Sequence, residues 1–197
     1  MDDILASDTP KKVSWLGLHR FLVKDVRKLI YAKLTTLERI MVEKAHGINT
    51  TFQKGKSNVC WLAAREGYLD VLKWARANEC PWDEETCSRA AEGGFLTILQ
   101  WARSNRCPWD ENTCSNAAYG GHFDILQWAR ANGCPWDEFT CSYAALGGHL
   151  DILQWARANE CPWDEDTCSS AAEGGHLNVL QWAQANGCLS LKKYEQE

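Results

Sequence analysis

The chain has 197 residues, 45% of them hydrophobic and 24% charged, with a formal net charge of −5, the make-up of a globular protein of one domain or two small ones. No apolar run reaches the roughly 20 residues that a membrane-spanning helix needs, and the opening MDDILASDTPKK lacks the basic stretch and apolar core of a secretory signal. Residues 1–56 hold eleven Lys/Arg against six Asp/Glu and residues 57–197 hold ten against twenty, so the larger part is acidic, which argues against binding a phosphate backbone.

Residues 10–46 are expected to be helical, in two or three short elements. Pro10 suits a first helical position, and Leu18, Leu22, Val26 and Leu29 keep a helical spacing. Thr35 and Glu38 form a capping-box pattern that opens a last helix, which Gly47 would close.

From about residue 58 the chain repeats. Cys-Pro-Trp-Asp occurs at Cys80, Cys107, Cys134 and Cys161, each copy 27 residues after the last. A fixed period of this length marks a solenoid, in which each unit stacks on its neighbours. In the unit that begins at Cys107, Pro108 breaks the preceding helix, Asp110 is a good N-cap, and Glu111 suits the first turn. With Asp110 as cap, Trp109 and Cys114 take the positions of a hydrophobic staple. The first helix carries Thr113, Cys114, Ala117 and Ala118, whose small side chains permit close approach, and Gly120-Gly121 ends it. A second helix follows with Phe123, Ile125, Leu126, Trp128 and Ala129. Its wide apolar arc suits a helix sandwiched between two neighbours, and Asn132-Gly133 terminates it. The first unit, residues 58–79, is irregular, so five helix pairs are expected between residues 58 and 187. After Cys188 the Pro-Trp pair is replaced by Leu189-Ser190 and the array stops. The tail 188–197 is expected to lay Leu189, Leu191 and Tyr194 over the last face. The fold class is therefore all-α: a solenoid of five helix-turn-helix repeats (57–187) behind a small helical segment (1–56).

The run Ala-Ala-x-Gly-Gly-His-Leu-Asp-Ile-Leu at 144–153 resembles the ankyrin repeat, as does the Asn-Gly-Cys at 132–134. It looks most like a short Cys-Pro-Trp-Asp variant common in large DNA viruses and in some protists. The chain departs from that family in lacking Thr-Pro-Leu-His and in its 27-residue period, against about 33 in ordinary units. The missing residues leave little room for the β-hairpin fingers with which ordinary ankyrin arrays bind. The resemblance implies a cytoplasmic protein-interaction module of short ankyrin-like repeats. Residues 22–46, with Leu22, Val26, Leu29, Leu34 and the Glu38-Arg39 pair, are similar to the F-box motif, although Val23 stands where the motif has proline. That similarity implies docking of a ubiquitin-ligase subunit. The plainer alternative is a helical cap over the first unit.

The ten cysteines follow the repeat, and without a signal segment they are expected to be reduced thiols inside a cell. Cys134 and Cys141 are too far apart in sequence for the close pairs of a zinc site. Equivalent cysteines in successive units, about 8–10 Å apart, exceed the ~7 Å Cα limit of a disulfide. The expectation is of buried small apolar groups, with no metal and no cofactor. His122, His149 and His176 follow the Gly-Gly turn, where the resemblance implies a structural hydrogen bond, and Phe95 takes their place in one unit. Nine of the eleven tryptophans keep the register and are expected in the core. No nucleophile with a paired base, no metal-carboxylate set and no phosphate loop is present, so no catalysis is expected.

The units disagree on one face of the first helix. Positions 85, 112, 139 and 166 hold Glu, Asn, Phe and Asp; positions 89, 116, 143 and 170 hold Arg, Asn, Tyr and Ser; positions 92, 119, 146 and 173 hold Glu, Tyr, Leu and Glu. Spaced i, i+4, i+7, these share a face, and a repeating framework with one varying face is the pattern of a recognition surface. Tyr119, Phe139, Tyr143 and Leu146 form an apolar centre, with Arg89 and Asn116 beside it. The expected function is binding a protein partner, with no nucleic-acid or membrane role. The alternatives are an F-box adaptor and a structural component of a larger particle, and unconstrained drift of a solvent-facing surface is the bland account of the variation.

Overall fold

The structure, a computed structural model, describes residues 58–188. The expected helices within 10–46, the F-box-like segment, its capping role and the tail beyond Cys188 lie outside the described residues. Those residues form ten helices in five pairs: α1 (Asn58–Arg65), α2 (Leu69–Ala77), α3 (Glu84–Glu92), α4 (Leu96–Ser104), α5 (Glu111–Tyr119), α6 (Phe123–Ala131), α7 (Glu138–Leu146), α8 (Leu150–Ala158), α9 (Glu165–Glu173) and α10 (Leu177–Ala185). None is long and apolar enough to cross a membrane.

Local signals set the bounds of each pair. Asp110, Asp137 and Asp164 cap α5, α7 and α9, each carboxylate accepting the N–H two residues on, at 3.1, 3.2 and 3.0 Å. Gly120, Gly147 and Gly174 close the same helices. The following glycine of each pair, Gly121 for example, takes a left-handed φ of 75°, which glycine adopts without a Cβ penalty. The second helices end in Schellman turns. After α6, Gly133 donates to Arg130 O at 3.1 Å and Cys134 to Ala129 O at 3.0 Å. Glycine fills that left-handed position at 133 and 187, but Glu79, Arg106 and Glu160 occupy it in the other units, with φ of 60°, 65° and 64°.

Helices α1, α3, α5, α7 and α9 pack side by side in chain order as a spine, and each second helix lies chiefly on its own first helix. The spine is therefore the most closely packed layer, while second helices of successive units touch through larger side chains, as Phe123 of α6 does Trp155 of α8 at 5.6 Å. The spine's small residues explain this. Thr113, Cys114, Ala117 and Ala118 of α5 are wholly buried, as are their counterparts in α7, and short side chains let neighbouring backbones approach closely. Against each of the first four spine helices the second helix buries an aliphatic pair and an alanine, Ile125, Leu126 and Ala129 in α6; α10 buries Val179 and Ala183, with Leu180 half-buried.

Histidines tie successive units together. His122 Nε2 bonds Glu92 O at 3.0 Å and His149 Nε2 bonds Tyr119 O at 3.1 Å, across 30 residues in each case. Their rings lie so close over the turn glycines of the preceding unit that a Cβ at Gly94 or Gly121 would meet them at 2.6 and 2.5 Å. Phe95 covers Gly67 in the same way, so the ring's bulk serves every unit and the hydrogen bond only some.

The tryptophans correct one expectation. The nine in register are half-buried, not enclosed in the core. Each loop tryptophan meets one second-helix tryptophan edge-to-face, as Trp109 does Trp128 at 5.9 Å and Trp136 does Trp155 at 5.8 Å. Above each loop tryptophan lies an arginine from the preceding second helix: Arg76 over Trp82 at 4.2 Å, Arg103 over Trp109 at 4.0 Å, Arg130 over Trp136 at 4.0 Å, Arg157 over Trp163 at 4.4 Å. The same four guanidinium groups donate to the carbonyls of Cys80, Cys107, Cys134 and Cys161. Each arginine therefore fastens its helix end to the next loop. Gln184 stands where a fifth arginine would be, and Leu189-Ser190 where the Pro-Trp it would hold would be. Both partners of the contact disappear together at the end of the array.

A second correction concerns the cysteines. Each helix pair folds its spine cysteine against the cysteine 20 residues later, Cys60 with Cys80, Cys87 with Cys107, Cys114 with Cys134 and Cys141 with Cys161. The adjacent thiol first, and burial second, push Cys60, Cys107, Cys114 and Cys161 above the ordinary thiol range. In the fifth pair, Cys168 and Cys188 meet in the same way, with Cα atoms 6.3 Å apart, and the cysteines of the other four pairs are thiols. The expectation that no two cysteines lie within pairing distance compared equivalent cysteines in successive units. The actual partners come from the two ends of a single unit, which the helix hairpin brings together. Among the described residues no cluster of three or more His, Cys, Asp or Glu could hold a metal ion.

Candidate functional site

Helices α5 and α7, adjacent in the spine, present the aromatic residues of the variable face. Phe139 sits in the first turn of α7 and is 50% exposed, and Tyr119 ends α5 and is 46% exposed. Tyr143, one turn after Phe139, is half-buried between them. Its ring centroid is 6.0 Å from that of Tyr119, edge-to-face, and 6.3 Å from that of Phe139. Such contacts stabilise a cluster by about 1 kcal/mol beyond area burial, so the three rings hold one another while two remain open to solvent. Leu146 is half-buried at the end of α7, one turn past Tyr143. The carbonyl of Tyr119 accepts the His149 bond, which fixes the end of α5 beneath the cluster.

Arg89, Asn116 and Tyr143 occupy the same register position on α3, α5 and α7, and together they line a shallow groove of about 510 Å³. The structure thus brings Tyr143 together with both polar positions singled out from sequence. Arg89 is not a free cation. Its guanidinium pairs with Glu85 at 3.1 Å and Glu92 at 2.7 Å on its own helix and lies 5.6 Å from the ring of Trp61. Trp61 was not anticipated at this face. The available signal was a tryptophan at a position where the other units hold Ser88, Ser115, Ser142 and Ser169.

Constant positions contribute to this face as well as the varying ones. Asp83, Glu84 and Asp110 line the groove, and they belong to the capping motif that every regular unit carries. Helices α5, α7 and α9 contain no Lys or Arg. Burial first, and then the charges of Glu138 and Glu111, raise the Asp137 carboxyl above its ordinary range. Carboxylates of adjacent units therefore feel one another at this edge.

The chain matches no known family model, and no curated protein matches it.

Proposed function

We propose that this protein is a non-catalytic, cytoplasmic protein-binding module of ankyrin-like repeats, which holds a protein partner on the variable face of its spine helices. The observation that carries the reading is the ring cluster of Tyr119, Phe139 and Tyr143. It is open to solvent at two of its three members, and the flanking units place Glu85, Arg89, Glu92, Asp166, Ser170 and Glu173 at the same register positions. An aromatic centre inside a polar rim is the usual anatomy of a protein interface. Such rings often dominate binding energy. A second helix layer that packs on the spine from behind leaves this face free to serve a partner.

Affinity purification with mass spectrometry, comparing the wild-type chain with Phe139→Ala/Tyr143→Ala, tests the reading. Loss of a central aromatic typically costs about 2 kcal/mol, roughly thirtyfold in affinity, so the double variant should lose the partner and keep its melting transition. Retention of the partner overturns the proposal. Unfolding of the variant would assign the rings to the core instead.

A further inference from the structure

We propose that the occupant of the ring face is a short extended segment rich in lysine and arginine, held by its side chains over the Tyr119–Phe139–Tyr143 cluster and between the carboxylates of adjoining units. This rests on the protein-binding reading above and adds the chemistry of the partner.

Three observations converge on it. The first is the cluster itself: an exposed tyrosine and phenylalanine offer ring faces, which attract a cation within about 6 Å of the centroid. Among the described residues, four successive loops already place arginine over tryptophan at 4.0–4.4 Å. The second is the charge around the rings. Asp110, Glu111, Asp137, Glu138, Asp166 and Glu173 lie on the spine helices that carry or flank the cluster, α5, α7 and α9, or at their caps, and those helices contain no basic residue. Among the described residues, Arg89 on α3 is the cation that lines the same groove, and it is already engaged by Glu85 and Glu92. His122 and His149 direct their ring nitrogens to backbone carbonyls instead. An acidic or neutral partner would meet uncompensated carboxylates here, whereas a basic one would neutralise them. The third is spacing. Adjacent packed helices lie about 8–10 Å apart, and an extended chain rises about 3.3 Å per residue. Cations three residues apart would therefore reach successive units, and about six residues would cross α5, α7 and α9.

The probe is a fluorescein-labelled heptapeptide, Lys-Leu-Ser-Lys-Leu-Ser-Lys, titrated with the full chain and followed by anisotropy. The comparison peptide has glutamate at the three lysine positions. The lysine peptide should bind, the glutamate peptide should bind at least tenfold more weakly, and affinity should fall at least fivefold between 50 and 300 mM salt, as charge-dependent binding requires. Phe139→Ala/Tyr143→Ala should weaken the lysine peptide about thirtyfold. Glu111→Gln/Glu138→Gln should weaken it several-fold, and Asp124→Asn, on the second-helix layer, should leave it unchanged. Equal binding of both peptides, or indifference to the ring variant, overturns the proposal. So does a concentration-dependent dimer, seen by sedimentation, that the ring variant dissociates, since the occupant is then a second copy. If cellular partner capture depends on the rings while neither peptide binds, the basic occupant is wrong and the protein-binding reading stands. If capture is indifferent to the rings, that reading falls as well.

Discussion

Replacing Arg130 with glutamine would put into a central unit the residue that ends the array at Gln184. The structure assigns Arg130 two contacts. Its guanidinium lies 4.0 Å over the ring of Trp136, and it donates to the carbonyl of Cys134. A cation over a half-buried ring contributes about 1 kcal/mol, between the exposed and desolvated limits. A hydrogen bond from a charged donor contributes about 1.5 kcal/mol. Glutamine keeps part of the second contact, so the expected loss is about 2 kcal/mol. With an unfolding entropy of roughly 0.3–0.4 kcal/mol/K for a chain of this size, the melting temperature should fall by about 5–7 °C. The assay is thermal and urea unfolding followed by circular dichroism. Trp136→Leu and the double variant complete a thermodynamic cycle, which isolates the contact from the loss of either side chain. A melting temperature within 1 °C of wild type, or a coupling below about 0.3 kcal/mol, would refute the account of arginine as the fastening between units.

Three further outcomes follow from the described geometry. Glu160→Gly relieves a left-handed position that Gly133 and Gly187 fill elsewhere; it should gain about 0.5–1 kcal/mol, and a lower melting temperature would count against strain at that turn. His149→Phe, copying Phe95, removes one hydrogen bond to Tyr119 O and should cost about 1 kcal/mol. His149→Ala also removes the ring packed over Gly121 and should cost about 2 kcal/mol or more; equal costs would mean that the bulk of the ring contributes nothing. After mild oxidation, mass spectrometry of the non-reduced, alkylated protein should recover links only between cysteines 20 residues apart, Cys168 with Cys188 among them, because each hairpin brings those two together. A link between cysteines of different units would refute that pairing.

The sequence by itself determined the helical solenoid and its register, because the signals involved are local and recur. An aspartate cap, a Gly-Gly stop and an aliphatic stripe each act within a few residues of their own position, and the 27-residue copies repeat them. The positions of the variable face were legible for the same reason, since i, i+4, i+7 spacing on one helix needs no knowledge of its neighbours. Tertiary structure alone decided which side chains meet between elements. Comparing equivalent cysteines in successive units could not show that Cys168 faces Cys188, because a hairpin joins the two ends of one unit at a distance set by how its helices pack. Counting tryptophans could not show them half-exposed beneath arginines from the preceding unit. Nor could a list of varying residues show that Arg89 is taken up by Glu85, Glu92 and Trp61. Whether a ring is core or surface depends on what stacks beside it, and in a solenoid that partner lies about one period away in sequence and in contact only once the chain has folded.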